Sequence, residues 1–475
     1  MKNPSCSRLG ISLSQLYIGV FVFISLNLHA QVWQSYVPLL PDTLGTYDLR
    51  IAHNNEQVAW SVLMKYDVTS SSYNWVPSET LFFAKTSDGG STWSGGVIPM
   101  GVEPYASNIC PINDNIAWAS AVDVDFKSYV LRTIDGGTTW ESFLEDAFTD
   151  PSGYVDFVHF WDEQNGIVMG DPTPSENDPI PFYEIYRTSD GGSSWQRIPS
   201  ANIPAANGEF GIAGDYEVHG DHVWFSSADA STFFPRRIFH SKDRGLTWEV
   251  LDPGDRFVFF SFADSLHGIT AIRQVANSPD VTINYTDDGG QSWTELPTYN
   301  SPEPAIDYIL IPESHFILMS KRVDNINGPF LTYLSKDLGQ SWQEISNGEF
   351  IANMDFSSPT VGYAGEWQPV DHPTRMYKYI GSPLTGLLSG KSLEAEVKIT
   401  PNPTTNWLQV QVISDKPAPC LLLLNDMQGK LLERQLLDES AQGQAQFDMS
   451  DLPAGIYTLT ISQSGGFLSR KIVRN

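Results

Sequence analysis

Cysteine and basic side chains are both scarce in this sequence, and each shortage excludes a class of protein. Only three cysteines, Cys6, Cys110 and Cys420, occur among 475 residues, so neither a disulfide framework nor a cysteine-built metal centre is expected. Lysine and arginine number 28 against 56 aspartates and glutamates. A surface this acidic repels nucleic acid and anionic membranes, so nucleic acid is not an expected partner.

The excess negative charge lies in the middle of the chain. Residues 1–30 contain two basic and no acidic residues, and residues 385–475 contain eight basic and nine acidic residues. The remaining 18 basic and 47 acidic residues give residues 31–384 a formal charge of −29. We therefore expect a well-solvated surface for this segment, with no affinity for polyanions unless a local basic pocket compensates.

Long apolar runs are also missing, except near the N-terminus. Two basic residues, Lys2 and Arg8, precede the largely apolar residues 11–28, and Leu28-His29-Ala30 resembles a cleavage site. Residues 1–30 are therefore predicted to be a secretory signal peptide. A retained membrane anchor is the alternative, although polar residues interrupt the short run. No transmembrane span is expected in the mature chain.

Motifs for cofactors are absent as well. The sequence contains no phosphate-binding loop, zinc motif, nucleophile elbow, or nicotinamide or flavin fingerprint, so neither a cofactor nor a metal is expected. Residues Val122-Asp123-Val124-Asp125 pair two carboxylates, but they lack the glycine and the distal glutamate of a calcium loop.

What the sequence does contain is one octapeptide, Ser/Thr-x-Asp-x-Gly-x-Thr/Ser-Trp, repeated six times. This Asp box predicts a tight turn, since aspartate can accept backbone hydrogen bonds and glycine tolerates positive φ, followed by a strand that begins with tryptophan. Successive tryptophans are 47, 55, 53, 45 and 49 residues apart, which is the period of a propeller blade. The boxes contribute Asp88 and Trp93, Asp135 and Trp140, Asp190 and Trp195, Asp243 and Trp248, Asp288 and Trp293, and Asp337 and Trp342.

Short apolar segments around the boxes predict the four strands of each blade. Seven candidate second strands and seven candidate third strands occur, but only six boxes precede a fourth strand. Residues 32–37 resemble the segments that follow Trp195 and Trp342, so we expect them to pair with residues 375–380 and close the ring. The predicted fold is all-β, a seven-bladed propeller over residues 31–383, with an open or six-bladed ring as the alternative.

The boxes resemble those of sialidases, sortilin-type propellers, xyloglucanase-type glycosidases and photosystem II assembly-factor propellers. This resemblance to BNR-type repeats implies that the boxes lie at the periphery, away from any active centre. Residues 166–172, 186–192 and 203–209 are also similar to a group of exported bacterial Asp-box propellers, which supports the fold and implies no particular activity. The three-arginine clamp of sialidases cannot be assembled, so sialidase activity is not expected.

The composition changes after residue 381. Residues 384–395 are predicted to be a linker, and residues 396–475 alternate apolar and polar residues between turns, which predicts a small Ig-like β-sandwich. Its ordered motifs resemble the type A sorting domain of the type IX secretion system: Pro401-Asn-Pro403, Gln428-Gly-Lys430, Leu452-Pro-Ala-Gly-Ile-Tyr457 and Lys471-Ile-Val473. The alternative is a carbohydrate-binding sandwich.

The resemblance to the sorting domain carries implications for the whole chain. It implies a Bacteroidota protein whose partner is the type IX secretion machinery. It also implies delivery to the outer-membrane surface or the medium, and the sorting domain is usually removed on the way.

Long connections predict a ligand site on one face of the propeller. In a four-stranded blade, the loop between strands two and three and the link to the next blade lie opposite the Asp-box turn; we call this the long-loop face. Four such connections are long: Met64–Glu79, Asp171–Phe182, Pro199–Glu209 and Ser227–Pro235. Their aromatic residues could stack on the sugar rings of an extracellular glycan, dock a protein, or simply pack the loops: Tyr66, Tyr73, Trp75, Phe182, Phe233 and Phe234.

Asp171 and Glu209 are the candidate catalytic residues. A glycoside hydrolase needs two carboxyl groups across its scissile bond. Asp171 follows a second strand and Glu209 opens the first strand of the next blade, so both are expected near the axis on the long-loop face. Alternatively, such residues line a water-filled channel and satisfy backbone groups. Asp48 and Arg50, two residues apart, are expected on one face of the innermost strand of the first blade.

Overall fold

In the computed structural model, the chain is all-β. Among the residues that the structure describes, the elements are 35 strands in nine sheets and one 3-10 turn, Ser200–Asn202. No helix among the described residues is long and apolar enough to cross a membrane. The structure describes residues 32–40, 44–65, 79–144, 148, 153–175, 178–206, 208–254, 257–273, 281–296, 307–312, 314–322, 330–345, 349, 351–367, 373–382, 384, 393, 395–414, 420–426, 431–437, 442–463 and 466–475.

Seven four-stranded antiparallel sheets form the blades of a propeller. Blade 1 contains β2 (Leu44–Ala52), β3 (Asn55–Lys65), β4 (Thr80–Thr86) and β5 (Ser94–Pro99). Blade 2 contains β6 (Pro104–Pro111), β7 (Ala117–Asp123), β8 (Ser128–Thr133) and β9 (Glu141–Phe143). Blade 3 contains β10 (Val155–Phe160), β11 (Gly166–Ser175), β12 (Asp178–Thr188) and β13 (Gln196–Arg197). Blade 4 contains β14 (Glu209–His219), β15 (His222–Asp229), β16 (Pro235–Ser241) and β17 (Glu249–Leu251).

The remaining three blades complete the ring. Blade 5 contains β18 (Phe257–Phe262), β19 (Gly268–Arg273), β20 (Val281–Thr286) and β21 (Thr294–Leu296). Blade 6 contains β22 (Asp307–Leu310), β23 (Ile317–Arg322), β24 (Phe330–Ser335) and β25 (Gln343–Glu344). Blade 7 contains β26 (Ile351–Ser358), β27 (Val361–Glu366) and β28 (Met376–Tyr379), together with β1 (Trp33–Tyr36) from the start of the chain. The innermost strands β2 and β26 are in contact, so the first and last blades meet.

The ring closes as the sequence predicts. Strand β1 pairs antiparallel with β28, with Trp33 opposite Tyr379 and Tyr36 opposite Met376. The Trp33 side chain is fully buried and packs edge-on against Phe356 and Tyr379, with ring centroids 6.0 and 5.5 Å away. The strand therefore covers an edge that would otherwise be open to another chain.

Each Asp box folds as a hydrogen-bonded turn. In the first box, Asp88 Oδ1 accepts hydrogen bonds from the Thr86 hydroxyl at 2.9 Å and from Thr92 N at 2.9 Å, and Oδ2 accepts one from the Thr92 hydroxyl at 2.7 Å. The same three bonds recur in the other five boxes. The glycine of the pattern has positive φ in every copy, for example +88° at Gly137, and a side chain at Gly137 would collide with Phe83 of the preceding blade.

The tryptophans of three boxes pack across blade boundaries. Trp93 lies edge-on to Tyr363 of blade 7, with centroids 5.9 Å apart. Trp140 lies edge-on to Trp60 of blade 1, and Trp195 edge-on to Trp118 of blade 2, at 6.4 and 6.3 Å. The box thus combines a local turn with a contact that holds neighbouring blades together.

Replacing one Asp-box aspartate tests whether the hydrogen-bonded turn stabilises the propeller. We expect Asp88→Ala to lower the free energy of unfolding by about 1–2 kcal/mol, because three donors lose their acceptor while water can reach the turn. Ser87→Ala is the matched control, since Ser87 is the exposed neighbour in the same turn. Thermal denaturation of both variants measures the difference. Equal midpoints for the two variants would show that the box does not stabilise the blade.

One expectation about the loops is wrong. Asp171–Phe182, taken from the sequence as a loop, is largely a continuation of β11 and β12 into a long hairpin. The register shifts between Gly170 and Pro172, after which Pro172 pairs with Tyr183 and Thr173 with Phe182. Asp171 is thus the extra residue of a β-bulge immediately before Pro172, and strand pairing resumes after it. β15 likewise continues to Asp229, inside the loop expected from Ser227.

The C-terminal residues form two sheets. One is β29 (Glu396–Thr400), β30 (Trp407–Ile413) and β33 (Gln442–Asp448). The other is β32 (Leu431–Leu437), β31 (Cys420–Asn425), β34 (Gly455–Gln463) and β35 (Gly466–Arg474). Their facing side chains, including Leu408, Val410, Leu422, Leu424 and Phe447, form one buried core, so the two sheets make a small β-sandwich. The exact domain boundaries remain predictions.

The other face of β31 packs on the propeller. Leu421 and Leu423 are fully buried in one cluster with residues of blades 5 and 6, among them Ile283 and Tyr308. Arg434, opposite Leu423 in the sheet, places its guanidinium 4.3 Å from the centre of the Tyr285 ring. The run of leucines at 421–424 is thus buried on both faces.

Candidate functional site

A cavity of about 810 Å³ lies on the propeller axis. Residues of all seven innermost strands line it. Its lining continues into the turns that follow three of these strands, at His53, Asp264 and Pro312. Because the innermost strands run from the long-loop face to the Asp-box face, the cavity lies toward the Asp-box face. This position was not foreseen, since the sequence directed attention to the long loops.

One arginine crosses the middle of this cavity. Arg50 donates from Nε to Asp48 Oδ1 at 3.0 Å and from Nη2 to the carbonyl oxygen of Gly214 at 2.9 Å. Its guanidinium also lies 4.6 Å from the centre of the Tyr216 ring. Asp48 and Arg50 therefore share a face of β2, as alternation along the strand predicts, and Arg50 connects blade 1 to blade 4.

Several other acidic side chains line the cavity. Burial raises the pKa of Asp215, Asp307 and Asp355 to about 6. Most of these carboxyl groups are consequently ionised at pH 7, and the cavity is negative despite Arg50. Such a lining favours neutral or cationic ligands over anionic ones.

Three acidic side chains of the cavity, those of Asp48, Asp307 and Asp355, also accept hydrogen bonds from backbone N–H groups of neighbouring blades. Asp48 Oδ2 accepts a hydrogen bond from Ile109 N of blade 2 at 3.0 Å. Asp307 Oδ2 accepts one from Met354 N at 2.9 Å, and Asp355 Oδ2 accepts one from Ile51 N at 2.7 Å. Each bond joins a blade to the next one around the axis. Asn108, Asp171 and Ser261 make equivalent bonds to Val158 N, Gly211 N and Leu310 N.

Asp171 and Glu209, the predicted catalytic pair, lie together at the junction of blades 3 and 4 and are not among the residues that line the axial cavity. Asp171 Oδ1 accepts a hydrogen bond from Gly211 N at 2.7 Å, and burial raises the pKa of Asp171 to about 7. Glu209 is buried and accepts hydrogen bonds from Nε and Nη2 of Arg237, the former at 2.9 Å. Arg236 Nη1 lies 3.5 Å from its other oxygen.

A third carboxyl group, Asp156, lies beside this pair. Asp156 is fully buried, and among the residues that the structure describes neither of its oxygens has a hydrogen-bond partner. Burial and the charge of Asp171 raise its pKa well above the usual value. The carboxyl groups of Asp156 and Asp171 are therefore expected to share a proton near neutral pH.

The pair formed by Asp156 and Asp171 predicts that the stability of the protein depends on pH. A carboxyl group with a raised pKa keeps its proton in the folded state after the unfolded state has released it, so stability falls as the pH rises from about 4 to about 7. We expect Asp156→Asn to raise the melting temperature at pH 8 more than at pH 5, because its amide can donate to the ionised Asp171. Asp135→Asn is the control with the opposite sign, since hydrogen bonds from Thr139 lower the pKa of Asp135. A gain for Asp156→Asn that is independent of pH would contradict the shared proton.

The candidate ligand-binding aromatics have different surroundings. Phe233 is 73% exposed at the tip of the β15–β16 hairpin and packs edge-on to Phe210, with centroids 5.7 Å apart. Phe234 and Phe182 are half-buried, and Phe182 lines a small cavity of about 250 Å³ with Tyr183. Tyr66, Tyr73 and Trp75 lie outside the described residues.

A second aromatic group, not predicted from the sequence, lies on the same face. Tyr105, Phe126 and Tyr154 line a cavity of about 320 Å³ between blades 2 and 3. Phe126 is 55% exposed and adopts φ +64°, a conformation that is uncommon for a bulky residue. Phe126 directly follows Val122-Asp123-Val124-Asp125, the segment compared above with a calcium loop, and a phenylalanine in so polar a hairpin tip was the available signal. No group of three or more metal-ligating side chains occurs in the described parts of the chain.

Comparison with known families identifies the C-terminal domain. Residues 398–475 match the family described as "Secretion system C-terminal sorting domain". The match confirms the predicted type IX sorting domain, so the protein is exported to the cell surface or the extracellular space. No curated protein matches the sequence significantly.

Solved structures resemble the chain in fold. A structure of YCF48 bound to a D1 peptide is 15% identical, with a TM-score of 0.48, and the match covers 74% of this chain and 98% of that one. The extracellular domain of the putative one-component system BT4673 from B. thetaiotaomicron is 10% identical, with a TM-score of 0.42, over 94% and 58%. A protein of unknown function from Dyadobacter fermentans is 12% identical, with a TM-score of 0.41, over 73% and 98%. Likeness at this level concerns the fold and identifies no ligand.

Proposed function

We propose that this exported propeller binds an extracellular ligand, a glycan or a protein, on its long-loop face. The supporting observation is a pair of exposed phenylalanines, Phe126 and Phe233, at the tips of the β7–β8 and β15–β16 hairpins. Both have positive φ, +64° and +61°. Strained backbone combined with an exposed aromatic ring costs stability, and such features cluster at functional sites.

A glycan suits this face better than a protein. Sugar rings have apolar C–H faces and peripheral hydroxyl groups, which complement aromatic rings set among hydrogen-bonding groups. Here Phe126 lies beside Asp123 and the two tyrosines Tyr105 and Tyr154. The formal charge of −29 on residues 31–384 disfavours acidic polysaccharides.

Retention on immobilised polysaccharides tests the proposal. We expect the mature chain, residues 31–475, to be retained by at least one glycan and Phe233→Ala to weaken the retention several-fold. Ile134→Ala is the matched control, because Ile134 is 62% exposed in an Asp-box turn on the opposite face. Failure of the wild-type chain to bind any glycan would reject the glycan ligand and direct the search to protein partners.

A glycoside hydrolase is the second proposal, and the raised pKa of Asp171 favours it. A carboxyl group with a pKa of about 7 is partly protonated at neutral pH and can act as a general acid. Glu209 would then be the base or nucleophile, although its ion pair with Arg237 must yield first. Released reducing ends that disappear in Asp171→Asn and Glu209→Gln, with retention preserved, would support this activity. Retention without any release would establish a binding module.

A further inference from the structure

We propose that Tyr105, Phe126 and Tyr154 form a subsite for one uncharged sugar ring, between blades 2 and 3 on the long-loop face. The inference rests on the proposed glycan-binding function and specifies both the place and the kind of sugar. The cavity volume of about 320 Å³ is at the small end of ligand sites, which suits a single ring.

Three separate elements bring the aromatic rings together. Tyr105 lies on β6, Phe126 at the tip of the β7–β8 hairpin, and Tyr154 immediately before β10. The rings of Phe126 and Tyr154 are inclined at 51°, with centroids 6.5 Å apart. The buried Val122 and the half-exposed Val124 complete the apolar lining. Inclined rings of this kind present both an aromatic face and an aromatic edge to a ligand.

The hairpin tip holds Phe126 in an exposed position. Asp123 Oδ1 accepts hydrogen bonds from Asp125 N and Lys127 N, both at 2.9 Å, and Phe126 N donates to the Asp123 carbonyl oxygen at 2.9 Å. These bonds enforce the positive φ of Phe126. Glycine would adopt that conformation without strain, so the backbone gains nothing from a phenylalanine here. We therefore attribute the phenylalanine at this position to a role of its exposed aromatic ring.

Polar groups at the edge of the cavity can bind sugar hydroxyls. Asp123 is 7% exposed, and its Oδ2 accepts a hydrogen bond from the Tyr129 hydroxyl at 3.0 Å, which fixes the carboxylate and leaves it further acceptor capacity. Burial raises the pKa of Tyr154 to about 12. Its hydroxyl therefore keeps its proton and remains a donor at physiological pH.

The charges around the cavity select against acidic sugars. The tip of the β7–β8 hairpin, residues 123–127, carries Asp123 and Asp125 against one basic residue, Lys127, and Glu103 lies beside it. Uronic acids and sulfated sugars would meet net negative charge there. An uncharged ring is the chemistry that fits.

Phe126→Gly separates binding from folding. The substitution removes the aromatic ring and relieves the positive φ, so the melting temperature is expected to stay the same or rise. Retention by neutral polysaccharides, with xyloglucan, dextran and mannan as probes, is expected to fall at least tenfold. Tyr154→Phe removes one hydroxyl and is expected to reduce retention several-fold, whereas Ile134→Ala on the opposite face leaves it unchanged.

The outcomes distinguish the subsite from the proposed function. Wild-type retention that survives Phe126→Gly would overturn the subsite while leaving glycan binding intact. Retention of polygalacturonate as strong as that of the neutral polymers would overturn the assignment of an uncharged ring. If no neutral polymer retains the wild-type chain, both the subsite and the glycan form of the proposed function are overturned.

Discussion

Replacing Trp33 with alanine is expected to lower the free energy of unfolding of the propeller by about 3–5 kcal/mol, the range for large-to-small changes at buried aromatic residues. Trp33 is fully buried against Phe356 and Tyr379, and its strand closes the ring by pairing with β28. Removal of the Trp33 indole ring therefore removes packing at the place where the two ends of the propeller meet. An uncovered β28 edge also exposes backbone groups that can pair with another molecule.

Chemical denaturation and light scattering together test this prediction. We expect Trp33→Ala to shift the transition to lower denaturant and to increase aggregation near it. Val37→Ala is the matched control, because Val37 follows the same strand and is 58% exposed. A Trp33→Ala variant as stable as Val37→Ala would mean that the ring closes without this strand.

Replacing Asp48 with alanine is the second change with a large expected effect, about 3 kcal/mol. The substitution leaves the Arg50 guanidinium without its carboxylate and leaves Ile109 N of the next blade without an acceptor. Breaking a buried ion pair from one side usually costs about 3–5 kcal/mol. The Arg50 side chain is 26% exposed toward the cavity, so solvent reduces the cost to the lower end of that range.

A double substitution identifies the cause of that loss. Asp48→Ala combined with Arg50→Met removes both charges and keeps much of the arginine stem, so it is expected to be more stable than Asp48→Ala alone. Glu163→Ala, at an exposed carboxylate in blade 3, serves as the control and is expected to change little. Equal destabilisation by the single and double substitutions would attribute the loss to the Ile109 hydrogen bond.

The axial cavity shows why catalytic carboxylates are difficult to infer from a propeller sequence. Asp48, Asp307 and Asp355 look like candidate acids and bases by residue type, yet each accepts a backbone hydrogen bond from the next blade. These bonds join residues between 47 and 304 positions apart in the chain. No local pattern distinguishes an acidic residue with such a partner from one that is free to react.

The sequence by itself determined the features that depend on short-range interactions. An Asp box forms its hydrogen bonds within five residues, so its six copies reveal the turns and the blade period. The seventh blade followed from the number of candidate second and third strands and from residues 32–37. Trp33 was assigned to the closing strand from its similarity to the segments after Trp195 and Trp342. The sorting domain was recognised from ordered motifs near the C-terminus, and residues 398–475 match that family.

Only the tertiary structure determined where the cavities lie and which charged side chains are close to one another. It placed the axial cavity toward the Asp-box face, extended β11 and β12 into the expected loop, and grouped Asp156 with Asp171 and Glu209. It also brought Tyr105, from another strand of blade 2, and Tyr154, from blade 3, to Phe126. The physical reason is that burial, cavity shape and pKa arise from contacts between residues distant in sequence, whereas the turn chemistry of each blade is local.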